Sequence, residues 1–108
     1  MELKELNKFI KLENGRLREA FGEFADEDKH ILERTVKLTE ELGELCDEVL
    51  GHCSFQRKSK PNTYDSDNLP GEVADVLITT LLLADTMNVD VEKALEMKIE
   101  KINKRYEK

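Results

Sequence analysis

Apolar residues recur with helical spacing in four segments of the chain. The first segment runs from about Glu2 to Phe21. Apolar positions three and four residues apart favour an amphipathic helix, and the expected buried positions here are Leu3, Leu6, Phe9, Ile10, Leu17 and Phe21. Asn14 and Gly15 interrupt the pattern. They either end one helix and start another, or lie within one helix that tolerates them at a cost of ~1 kcal/mol in helix stability.

A second helix is predicted from near Asp26–Asp28 to Gly51. Acidic residues at its start suit the positive end of a helix. Its expected buried positions are Ile31, Leu32, Leu38, Leu42, Leu45 and Val49. The following stretch, residues 51–68, has no helical or strand period. A connection this long is either a solvated loop or a lid that faces phosphate groups.

The third and fourth segments complete an all-α pattern. The third opens at "NLPGEVAD" with Pro70 in its first turn, and it is apolar nearly all round, which is typical of a helix buried on most sides. One small chain cannot easily bury such a helix, so a partner subunit is expected. The fourth follows Asp90 as N-cap, with an inner stripe of Val91, Leu95, Ile102 and Tyr106. We predict a four-helix bundle, one domain over residues 1–108, that dimerises through its helices.

Charge narrows the classes of function. The chain has 24 acidic and 17 basic residues, a net charge of −7, which argues against binding a nucleic-acid polymer through its phosphates. No apolar run is long enough for a membrane span, and no apolar leader is visible, so a cytoplasmic protein is expected. Cys46, His52 and Cys53 lack the spacing and the fourth ligand of a zinc site. We expect Cys46 to be buried in its helix and both thiols to be reduced.

Two pairs of carboxylates each share a helix face. Glu41 and Glu44 are three residues apart in the second segment, and Glu72 and Asp75 are three apart in the third. Residues three apart project to the same side of a helix, so each pair can direct two carboxylates at one point. If the two helices are antiparallel neighbours, four carboxylates converge. Oxygen ligands of this kind suit Mg²⁺ or Mn²⁺.

The sequence also allows other interpretations of the acidic residues. Glu41 lies about 70° from the centre of the leucine stripe, so it and Glu44 could be solvated charges. Glu72 and Asp75 could be N-terminal helix residues stabilised by the helix dipole. A di-iron bundle would need Glu-x-x-His on two helices, whereas the chain has one, ending at His30.

A basic stripe lies near the end of the fourth segment. Lys98, Lys101 and Arg105 are spaced i, i+3 and i+7 and therefore share a face. Basic residues in a last turn also complement the helix dipole. Together with a carboxylate cluster, however, they suit a metal–polyphosphate ligand whose phosphate oxygens the cations would hold. Asn103 could offer its amide to the edge of a nucleobase.

The motifs "EELGE" (40–44), "EVAD" (72–75) and "KIEKINKRY" (98–106) resemble those of the MazG-like nucleoside triphosphate pyrophosphohydrolases, within the all-α NTP pyrophosphatase superfamily. The resemblance covers roughly residues 31–106. It implies a dimerising four-helix core, a homodimer or a dimer of dimers. It also implies Mg²⁺ ligands at Glu41, Glu44, Glu72 and Asp75, and substrate contacts at Lys98, Lys101, Asn103 and Arg105.

Two functional hypotheses follow. The first, implied by the resemblance, is a Mg²⁺-dependent enzyme that hydrolyses a nucleoside triphosphate to the monophosphate and pyrophosphate. The second is a helical oligomerisation or regulatory module that binds a partner or nucleotide without catalysis, and the all-apolar third segment motivates it. Turnover of a triphosphate that depends on Mg²⁺ separates the two.

Overall fold

The structure, a computed structural model, describes residues 1–21, 26–53 and 68–107. These ranges contain only α-helix among regular elements, which confirms the all-α class. The helices are α1 (Leu3–Phe21), α2 (Glu27–His52), α3 (Asn68–Thr86) and α4 (Val91–Lys104). No helix in these ranges is both long and apolar enough to cross a membrane. Most of the 51–68 connection lies outside the described residues.

Side-chain caps begin α2 and α4. The carboxylate of Asp26 accepts a hydrogen bond from the backbone N–H of Asp28 at 3.1 Å, and that of Asp90 accepts one from the N–H of Lys93 at 3.1 Å. Each bond satisfies a backbone donor that has no partner within the first turn of its helix. The N-cap predicted at Asp90 is confirmed.

The buried side-chain amide of Asn14 bonds α1 to α3. The helix runs unbroken through Asn14 and Gly15, so the interruption in the sequence pattern is tolerated. Asn14 is 7% exposed, and its Nδ2 donates to the carbonyl oxygen of Leu82 at 3.2 Å and to Oδ2 of Asp85 at 2.8 Å. Lys11 Nζ lies 2.9 Å from the other carboxylate oxygen of Asp85. These bonds fasten α1 to α3.

The turn from α3 into α4 is a Schellman motif. Asn88 adopts the left-handed conformation with φ 57°, which asparagine tolerates better than most residues. The N–H of Val89 bonds to the carbonyl of Ala84, and the N–H of Asn88 bonds to that of Asp85. This pairing satisfies two carbonyls at the end of α3 and sets the direction in which α4 leaves.

The face of α2 that is buried differs from the predicted leucine stripe. α3 packs against both α2 and α1. The residues of α2 that become buried are polar: His30, Arg34 and Glu41. Leu32, Leu42 and Val49 were expected in the core but are 62%, 49% and 44% exposed. Ile31, Leu38 and Leu45 of the same predicted set are half-buried, so α2 is turned such that Glu41 lies in the covered face and the leucine stripe is only partly covered within the chain.

Very little apolar surface is fully buried in the described ranges. Ile10 and Leu82 are the buried apolar residues there. Phe9 and Phe21 were predicted to be buried but are exposed. Val73 and Leu77 of α3 are also exposed. In the predicted inner stripe that begins at Val91, the remaining residues are exposed as well: Leu95, Ile102 and Tyr106. α4 lacks extensive packing against the other described helices, because its apolar stripe finds no facing helix within one chain.

Candidate metal centre

Three carboxylates from α2 and α3 converge. Glu41, in the middle of α2, and Glu72 and Asp75, on α3, each offer an oxygen, and these three oxygens all lie within 4.8 Å of one another. Glu41 is buried, Glu72 is half-buried and Asp75 is exposed. Oxygens spaced in this way can bind one divalent cation from one side and leave the other side open to water or substrate.

Burial without hydrogen-bond partners distinguishes this cluster from a solvated acidic surface. Glu41 is 8% exposed. Four inaccessible carboxylate oxygens in the described residues have no hydrogen-bond partner: Oε2 of Glu33, Glu41, Glu48 and Glu72. A buried anionic oxygen is strongly destabilising unless a cation or a donor satisfies it. The donor set is all oxygen, so it fits a hard cation such as Mg²⁺ or Mn²⁺.

Electrostatics point the same way. The pKa of Glu72 is raised by burial and by the negative charges of Glu44, Asp75, Glu41 and Glu48, in that order. Glu72 is outside the first turn of α3, so stabilisation by the helix dipole is a poor explanation of its charge. Mutual repulsion among carboxylates at one point is relieved when a cation binds there.

Lys37 is a cation at the edge of the cluster that neither acidic motif nor the basic stripe includes. Its Nζ lies 3.3 Å from Oε1 of Glu41 and 3.4 Å from Oε2 of Glu40. Hydrogen bonds to Glu41 and then Glu40 raise the pKa of Lys37. The lysine is half exposed, so it offsets part of the negative charge and leaves Oε2 of Glu41 unsatisfied.

The structure places the remaining predicted ligand, Glu44, differently from the other three. Glu44 is exposed and contributes no oxygen to the converging triplet, although its charge acts on Glu72. Glu48, one turn further along α2, is half-buried and also acts on Glu72. The sequence contained one indication that Glu48 belongs with Glu41: the two residues are seven apart, and a step of seven residues returns nearly to the same face of a helix.

The predicted basic stripe does not meet the cluster within one chain. Lys98, Lys101, Asn103 and Arg105 are exposed, and none forms a side-chain ion pair or hydrogen bond with the cluster among the described residues. The stripe lies along α4 and the turn that follows it, and α4 is the helix without extensive packing. These four side chains are therefore presented outward from the chain.

The cysteines do not form a second centre in the part of the chain that the structure describes. Cys46 and Cys53 are exposed and free, so the expectation that Cys46 is buried is wrong; it projects from α2 well away from the buried carboxylate face. His30 is buried but does not belong to a group of metal-capable residues there.

Fold and site together define an all-helical protein with a carboxylate centre that could hold a divalent metal ion. Comparison with known proteins gives the family. Residues 29–108 match the MazG nucleotide pyrophosphohydrolase domain, and the chain belongs to this family. It is also 33% identical over 84 residues to the uncharacterized protein YpjD of Bacillus subtilis (strain 168), an alignment that covers 78% of this chain and 74% of that protein. No solved structure matches the chain significantly.

Proposed function

We propose that this protein is a Mg²⁺-dependent nucleoside triphosphate pyrophosphohydrolase, with Mn²⁺ able to replace Mg²⁺. One observation carries the proposal: in a chain of the MazG family, carboxylate oxygens of Glu41, Glu72 and Asp75 converge within 4.8 Å. Inaccessible oxygens of Glu41 and Glu72 lack a hydrogen-bond partner. The divalent cation that accompanies a nucleoside triphosphate would supply the positive charge that this site needs.

In the proposed reaction a water oxygen bonds to the α-phosphorus and the bond from that phosphorus to the bridging oxygen breaks. Pyrophosphate leaves with the electron pair, and the proton that the attacking water loses passes to solvent. Bound Mg²⁺ would polarise phosphate oxygens and neutralise the charge that develops on the leaving group. Glu41, Glu72 and Asp75, with Glu44 beside them, would hold the metal and orient the phosphates against it.

We further propose that the substrate contacts come from the basic stripe of α4 after assembly. Lys98, Lys101 and Arg105 would hold phosphate oxygens, and Asn103 would face the nucleoside. At 100° per residue, Lys98 and Arg105 lie about 60–80° from the direction of Leu95 on α4. Burying the apolar stripe of α4 against a second copy would therefore leave both cations at the rim of the interface.

The exposed apolar faces support a homodimer or a dimer of dimers. Leu77 on α3 and Leu95 on α4 are 60% and 49% exposed, and large exposed apolar faces mark interaction surfaces. Replacing Leu77 by Glu places a charge on such a face and should shift the protein toward monomer in light scattering. An unchanged mass for Leu77→Glu, and for Leu95→Glu, would count against assembly through these helices.

The function is tested with a panel of ribo- and deoxyribonucleoside triphosphates, with and without Mg²⁺, by measuring pyrophosphate release. We expect release only with the metal. Glu72→Gln and Asp75→Asn should abolish it while helical circular dichroism persists. Glu19→Gln is the matched control, because Glu19 is an exposed acid on α1, and its turnover should equal that of the wild type.

A non-catalytic nucleotide-binding or oligomerisation module is the second candidate. The exposed apolar residues of α2, α3 and α4 favour it as well. It predicts tight nucleotide binding or stable assembly with no pyrophosphate from any triphosphate under any metal condition. That outcome would replace the enzymatic proposal.

A further inference from the structure

Glu48 is a carboxylate that the two acidic motifs leave out. It lies on α2, four residues after Glu44 and seven after Glu41. At 100° per residue, seven residues bring Glu48 to within about 20° of the direction of Glu41, whereas Glu44 is about 60° away. Glu48 thus shares the α2 face that points toward α3 more closely than Glu44 does.

Burial agrees with this placement. Glu48 is half-buried and Glu44 is exposed. The Oε2 atom of Glu48 is inaccessible to solvent and has no hydrogen-bond partner, as is also true of Oε2 in Glu41 and Glu72. Glu48 is close enough to Glu72 for its charge to act on that carboxylate. An oxygen that neither water nor a donor reaches is destabilising as an anion.

Glu41 gives the independent sign that the cluster receives a ligand. Glu41 is only 8% exposed. Its Oε1 pairs with Lys37, but its Oε2 has no hydrogen-bond partner. The unsatisfied oxygens of Glu41, Glu48 and Glu72 belong to one helix pair. Glu48, like Glu44, contributes no oxygen to the triplet of Glu41, Glu72 and Asp75 as the side chains are placed, so its coordination requires its side chain to turn toward a cation bound between α2 and α3.

We propose that Glu48 is a further ligand of the divalent cation site, bound directly through its carboxylate. This inference rests on the proposed function, since it assigns one more residue to the same centre. It makes the site depend on a residue outside Glu41-x-x-Glu44 and Glu72-x-x-Asp75. It also explains why an inaccessible, unpaired carboxylate occupies the covered face of α2.

The first experiment measures Mn²⁺ binding to the full chain by electron paramagnetic resonance of free Mn²⁺, without substrate. Glu48→Gln keeps the size of the side chain and removes the charged ligand, so it should weaken binding by about tenfold or more. Glu19→Gln removes an equal charge from an exposed position on α1 and should bind as the wild type does. Wild-type affinity in Glu48→Gln would overturn the assignment of Glu48.

The same titration separates this inference from the proposed function. A wild-type protein that binds no Mn²⁺ would overturn both. A wild-type protein that binds Mn²⁺ and releases pyrophosphate, together with an unaffected Glu48→Gln, would overturn only the role of Glu48.

A second variant distinguishes direct coordination from a long-range effect of charge. Glu48→Cys, made in a background of Cys46→Ser and Cys53→Ser, replaces the oxygen ligand by a thiol that prefers soft metals. We expect Cd²⁺ to produce the ultraviolet absorption of a thiolate–cadmium bond. Glu19→Cys in the same background should produce none. Absence of the band from Glu48→Cys, in a protein whose circular dichroism is that of the wild type, would show that residue 48 does not touch the metal.

Discussion

Replacing Asn14 by alanine removes both hydrogen bonds through which the amide fastens α1 to α3. The bond to Oδ2 of Asp85, at 2.8 Å, has a charged acceptor, and the bond to the carbonyl of Leu82, at 3.2 Å, has a neutral one. Typical contributions are about 1.5–3 kcal/mol for the first kind and about 0.5–1.5 kcal/mol for the second. Asp85 is partly exposed and, in the variant, keeps Lys11 as a partner. The loss should therefore lie in the lower part of the summed range for the two hydrogen bonds.

The expected loss for Asn14→Ala is therefore about 2–3 kcal/mol of unfolding free energy. An unfolding entropy of about 2.1 cal/mol/K per residue over 108 residues converts this loss to a fall in Tm of about 9–13 °C. The assay is thermal unfolding followed by circular dichroism at neutral pH and fixed protein concentration. Asn14→Asp is the informative companion, because it keeps the size of the side chain and loses the donor.

The pH dependence gives this prediction a second signature. Partial burial raises the pKa of Asp85, but hydrogen bonds from Lys11 and Asn14, and the charges of Lys11 and Arg18, hold it below its ordinary range. A lowered native pKa stabilises the fold above the ordinary value, and that stability is lost as the pH falls through the native pKa. The penalty of Asn14→Ala should therefore shrink in acid. A penalty under about 0.5 kcal/mol at neutral pH, which is less than even one neutral hydrogen bond typically contributes, would refute the reasoning.

Three further outcomes are expected. Mg²⁺ or Mn²⁺ at a hundred times its Kd should stabilise the protein by about 2.7 kcal/mol and raise Tm by about 12 °C. A Tm that does not change when the metal is added would contradict the metal centre. In metal-free buffer, the raised pKa of Glu72 means that the native state binds the extra proton. Stability should then fall as the pH rises from the ordinary to the raised value, and urea titrations of Glu72→Gln should lack that slope. Gly15→Ala should stabilise α1 by about 0.5–1 kcal/mol, since a Cβ there meets nothing within 4 Å; an unchanged or lower Tm would be inconsistent with this.

The helices themselves follow from local sequence. Period and capping chemistry act within a few residues, so Asp90 as N-cap and the bounds of α2 and α3 agree with expectation to within a few residues. The chemistry of the candidate site was also visible locally, because an i, i+3 pair of acids necessarily shares a helix face.

The choice of which faces meet required the tertiary structure. Both the leucine stripe of α2 and its carboxylate face are continuous along the helix, and the hydrophobic effect alone favours burying the leucines. The structure buries Glu41 instead and leaves Leu42 exposed, which no pattern within one helix specifies. Glu48 likewise acts on Glu72 only because α3 packs where it does, whereas the i,i+4 pair of Lys37 and Glu41 forms within α2 itself.

The sequence by itself determined four helices, the N-cap of α4 at Asp90, a negative chain, and two acid pairs each confined to one helix face. Tertiary structure decided that Glu41, Glu72 and Asp75 converge and that Asn14 fastens α1 to α3. It also decided that the basic stripe of α4 is exposed and forms no ion pair with the cluster among the described residues of one chain. The physical reason is the distance over which each interaction acts. Helix propensity and capping depend on residues that are neighbours in sequence, whereas the convergence of side chains from different helices depends on which helix faces pack together.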